Sequence, residues 1–107
     1  MSYFLFYSAT YATNFKLTTK LYGSEISWKF GDTCTSDQAY DNNQEYSKTC
    51  NLSPGQYTLE CLDSYGDGWH GGYIEILGTK YCESFTSGRS KNVAVTIPGI
   101  HVTLNHS

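Results

Sequence analysis

Apolar and polar residues alternate along most of this chain, with a period of two. Residues 24–30 set Ile26, Trp28 and Phe30 on one face and Glu25, Ser27 and Lys29 on the other, the pattern of a half-buried strand. Residues 56–62 repeat it with Tyr57, Leu59 and Cys61 against Thr58 and Glu60, and residues 72–77 with Ile74 and Ile76 against Tyr73 and Glu75. Residues 14–19, 80–85, 92–97 and 100–104 read as further strands, and residues 1–7 as a short aromatic one. No stretch follows a helical period. The pattern predicts an all-β domain of about eight strands, an antiparallel β-sandwich or jelly roll.

Between residues 33 and 49 the alternation lapses and Ser, Asp, Asn, Gln, Tyr and Lys dominate, so a long polar loop is expected there, bracketed by Cys34 and Cys50. Four cysteines allow three pairings. Cys34–Cys50 and Cys61–Cys82 are favoured, the first closing the polar loop and the second closing a hairpin over residues 61–82. Each encloses about twenty residues and should contribute roughly 3 kcal/mol by loop closure. A zinc site built from all four is disfavoured, because no two cysteines have the spacing of about two to four residues that structural zinc uses.

Paired cysteines imply an oxidising compartment, extracellular or at the cell surface. Asn51-Leu-Ser53, in an expected surface turn, is a glycosylation acceptor, and Asn105-His-Ser107 is a second sequon. At 107 residues the chain reads as one domain, residues 1–107. A net charge of −3 with seven basic residues excludes a phosphate-neutralising nucleic-acid surface. The apolar stretch at residues 1–7 is too short to cross a membrane. Residues 1–12 instead suggest an edge or exchanged strand that pairs with the open sheet edge of another copy. His70, His101 and His106 are too scattered to form a metal cluster by themselves.

Chemistry concentrates in the thirteen residues from Cys61 to Tyr73, which hold four of the ten glycines, two aspartates, Tyr65, Trp69, His70 and Tyr73. Asp63 and Asp67 offer hard oxygens, and Glu75 or Glu60 on the flanking strands could complete a shell for calcium. The spacing is not that of an EF-hand, since Tyr65 and Ile74 occupy ligand positions. Tyr65, Trp69 and Tyr73 beside Asp63, Asp67 and His70 also have the parts of a sugar-stacking site. A purely structural turn, bonded to itself through Asx turns with Trp69 folded back onto the core, accounts for the same residues. An acid and nucleophile pair from Asp63 and Asp67 is disfavoured, because an exposed loop would not separate two carboxylate pKa values.

The run Asp63-Ser-Tyr-Gly-Asp-Gly-Trp69 after Cys61 resembles a loop of secreted β-modules, often tandem, found in protists, other eukaryotes and bacteria. Residues 52–57 and 81–85 are similar to the same modules, so the resemblance covers roughly residues 24–97. His70 stands where Asn is usual. The resemblance implies an extracellular β-module. The expected function is a non-catalytic structural building block of a fibre, coat or matrix, with copies of itself or neighbouring modules as partners. A calcium-assisted carbohydrate-binding module using residues 63–73 is the alternative.

Overall fold

The computed structural model describes residues 9–99. Strands expected at residues 1–7 and 100–104, with His101, Asn105 and His106, lie outside the described residues. Within them the chain forms eight strands: β1 (Tyr11–Thr18), β2 (Ile26–Phe30), β3 (Cys34–Thr35), β4 (Glu45–Leu52), β5 (Gly55–Asp63), β6 (Tyr73–Ile76), β7 (Thr79–Tyr81) and β8 (Ser90–Ile97). They make two antiparallel four-stranded sheets, ordered β4-β1-β6-β7 and β3-β2-β5-β8.

Alternation explains the packing. β1 turns Thr13, Phe15 and Leu17 inward, β2 turns Ile26, Trp28 and Phe30 inward, and β5 turns Leu59, Cys61 and Asp63 inward. Phe15 of the first sheet stacks on Trp28 of the second at 5.1 Å between ring centroids, and meets Phe30 edge-on at 5.0 Å. Such contacts identify the layers as a β-sandwich. The Trp28 indole N–H donates to the Tyr40 hydroxyl at 3.0 Å, which satisfies the ring's one polar group inside the core.

Only β2–β3 and β6–β7 are joined within a sheet; every other connection crosses from one sheet to the other. The Cys61–Tyr73 stretch is therefore not part of a hairpin, as expected from the sequence, but a crossover at one pole of the sandwich. Both disulfides form as favoured, Cys34–Cys50 and Cys61–Cys82. Cys34–Cys50 joins β3 to β4, and Cys61–Cys82 joins β5 to the residue after β7, so both tie the two sheets together.

The expected polar loop is half strand. β4 occupies its second part and pairs with β1 over eight residues, Tyr11 opposite Leu52 through Thr18 opposite Glu45. Its alternation is muted because it lies at an edge: Tyr46, Lys48 and Cys50 are only half-buried. Lys48 occupies an inward phase yet keeps its ammonium on Asp37 and on the Thr35 carbonyl, both at 2.8 Å. A long stem covering apolar surface under a solvated head reads as polar in sequence. Asn51 lies exposed on this edge strand rather than in a turn.

Candidate functional site

The crossover loop is organised by Asp63. Period two continues from Leu59 and Cys61 to place its side chain inward, where it is 2 % exposed. Four successive backbone N–H groups converge on it: Tyr65 to Oδ1 at 3.3 Å, and Gly66, Asp67 and Gly68 to Oδ2 at 2.9, 2.5 and 2.7 Å. Burial pushes this carboxyl up, but the Asp67, Tyr65 and Gly68 N–H bonds outweigh it and hold the pKa below the usual aspartate range. A charge so enclosed folds the loop around itself. Asp63 also takes part in the pairing of β2 and β5, opposite Ile26.

Gly68 lets the loop close on the neighbouring segment. Its φ is +82°, and an added Cβ would collide with the Phe85 carbonyl and stand 2.7 Å from Thr86 Cα. The Trp69 amide then reaches the Phe85 carbonyl at 2.9 Å, and its indole N–H reaches the Leu62 carbonyl at 2.9 Å. Trp69 is completely buried. Its ring is core, not a sugar platform. Tyr65 is 71 % exposed, whereas Tyr73 lies on the outer face of β6 with the Lys80 ammonium 4.4 Å from its ring centroid. The three rings expected to stack sugars thus have three different environments.

The acidic shell expected from the flanking strands is also redistributed. Glu75 stands on the outer face of the first sheet, opposite Lys16 and Lys80, and Glu60 on the outer face of the second, opposite Lys29 and Asn92. Strand alternation, which turns their buried neighbours inward, turns both glutamates away from Asp63. With Asp63 already occupied by backbone donors, the expected set of Asp63, Asp67 and Glu75 does not assemble.

A different set does. Glu25, in the 3-10 turn Gly23–Glu25 that precedes β2, meets Asp67 and His70, and one ligand atom of each lies within 4.8 Å of the others. Asp67 Oδ2 is 3.1 Å from His70 Nε2. Burial, then the Asp67 and Asp63 charges, push the Glu25 carboxyl up from its ordinary value. Tyr22, half exposed, packs against the His70 ring at 4.8 Å. Alternation in the sequence assigns Glu25 to the outer side of a strand. Only the pairing of Ile26 with Asp63, and the Ser64 N–H bond to the Glu25 carbonyl at 3.0 Å, carry it to the loop.

His70 has φ of +53°, in the left-handed region where Asn and His are enriched among non-glycine residues. That backbone requirement accounts for a residue such as Asn or His at this position. Compared with models of protein families, with curated proteins and with solved structures, the chain matches none.

Proposed function

We propose that this chain is a non-catalytic extracellular structural module that assembles by adding residues 1–8 of one copy to the β8 edge of the next. The observation that carries the reading is the contrast among the four edge strands. β3 and β7 have two and three residues, too short to template another strand. β4 is long but bears Glu45, Lys48 and the Asn51 sequon, all features that discourage edge pairing. β8 runs for eight residues, and its one charged side chain is Lys91. Among the described residues it pairs only with β5.

Residues 1–8 match that edge in length, about 26 Å at 3.3 Å per residue. Their Tyr, Phe and Leu side chains suit a pleated surface. β1 starts opposite Leu52, β4 connects to β5 through Ser53 and Pro54, and Gly55 of β5 pairs with Ile97. The start of β1 and the far end of β8 therefore lie at the same pole, and the proposed contact, repeated from copy to copy, would build a head-to-tail array.

The two disulfides support an oxidising, extracellular setting, and no helix among the described residues is long and apolar enough to cross a membrane. A glycosidase-type role finds no support in Asp63, whose lowered pKa is the reverse of what a general acid needs. Removing residues 1–8 should leave the melting temperature within a few degrees and abolish particles larger than a monomer in light scattering. Unchanged assembly by the truncated chain would refute strand addition.

A further inference from the structure

We propose that Glu25, Asp67 and His70 form a site for a divalent metal ion of the Zn²⁺ or Mn²⁺ type, at the pole that carries the crossover loop. Glu25 Oε1, Asp67 Oδ1 and His70 Nε2 each expose less than 1 Å², and none has a hydrogen-bond partner. Buried polar atoms are rarely left unpaired. Here three of only four such side-chain atoms among the described residues belong to the three residues, from two separate segments, whose ligand atoms lie within 4.8 Å of one another.

Charge makes the case sharper. Two carboxylates lie together, and among the described residues no lysine or arginine forms an ion pair with either. The approach of His70 Nε2 to Asp67 Oδ2 is close but lacks hydrogen-bond geometry. A cation among these atoms would satisfy all three at once.

Donor type selects the ion. Calcium is held by six to eight oxygens, whereas an imidazole nitrogen with two carboxylate oxygens suits zinc or manganese. With metal–ligand distances of about 2.1 Å, neighbouring ligands on a tetrahedral ion lie about 3.4 Å apart. The 3.1 Å between Asp67 Oδ2 and His70 Nε2 is near that edge length, and the set as a whole, within 4.8 Å, must draw in by side-chain rotation to reach it. Three protein ligands leave a position for water or an incoming oxygen donor. The surroundings are held independently, Asp67 by its N–H bond to Asp63 and Glu25 by its carbonyl bond from Ser64.

The test is titration calorimetry on the non-reduced full chain after EDTA treatment, with ZnCl₂, MnCl₂ and CaCl₂. We expect one zinc or manganese site and a melting temperature raised by several degrees. Glu25→Gln and His70→Asn should each weaken binding at least tenfold, while Glu75→Gln leaves it unchanged. Asn tolerates the positive φ at position 70, and melts in EDTA establish that each variant is folded; if one is not, the other decides. Failure of both transition ions to bind, calcium binding as tightly as zinc, or full binding by both variants would overturn the assignment. In the last case, histidines elsewhere are the source.

Discussion

Asp63 and Gly68 show how much a single residue carries in this fold. Asp63→Asn keeps the shape but replaces a charge that accepts four N–H bonds with a group holding one acceptor and an unwelcome donor. We expect a loss of about 3 kcal/mol in urea unfolding at pH 7, since hydrogen bonds to charged groups are worth about 1.5–3 kcal/mol. The sign of its pH dependence follows from the lowered pKa. The Asp63 contribution is present above the ordinary aspartate value of 3.8 and is lost as pH falls through the lower folded value. The gap between parent and variant, measured in EDTA, should therefore begin to narrow as pH falls below about 3.8 and be closed once pH lies below the folded value. Gly68→Ala should cost more than about 3 kcal/mol, because strain and collision add. Gly78→Ala is the control: it has the same φ of +82° but nothing within 4 Å of an added Cβ, so a thermal melt should show about 1 kcal/mol. The inward position of Asp63 was legible, since it continues the phase of Leu59 and Cys61. Its role was not, because alternation says which face a carboxylate takes and nothing about the donors awaiting it.

Elements were legible where their two faces differ in polarity. Residues 24–30 and 56–62 show the contrast, and β2 and β5 form there. β4 lacks it: an edge strand with Lys48 in an inward phase has the composition of a loop, and only its pairing with β1 reveals it. Sheet membership was equally hidden, because alternation is the same in either sheet. The loop between β5 and β6 therefore read as a hairpin, although it crosses the sandwich. Long-range register is also what brought Glu25 to Asp67 and His70, a meeting that no local pattern announces. The disulfides belong to this scale, since each ties an element of one sheet to the other. Replacing Cys61 and Cys82 together by Ser, or Cys34 and Cys50 together, should lower unfolding free energy by about 3 kcal/mol in either case. A melt in which one pair costs nothing would mean that its sheets are held without it.

At the scale of the whole molecule, the sandwich has two poles. At one, the crossover loop closes on Asp63 and gathers Glu25, Asp67 and His70. At the other lie the start of β1 and the end of β8. The proposed building block uses the second pole for assembly and keeps the first for an ion. Amide hydrogen exchange along β8 tests the assembly directly, because adding a strand protects the outward N–H groups of the strand it joins. In the assembled full chain, alternate amides from Ser90 to Ile97 should exchange slowly, and in the chain lacking residues 1–8 those same amides should exchange quickly while the β5 amides stay protected. Equal protection of β8 with and without residues 1–8 would contradict the account.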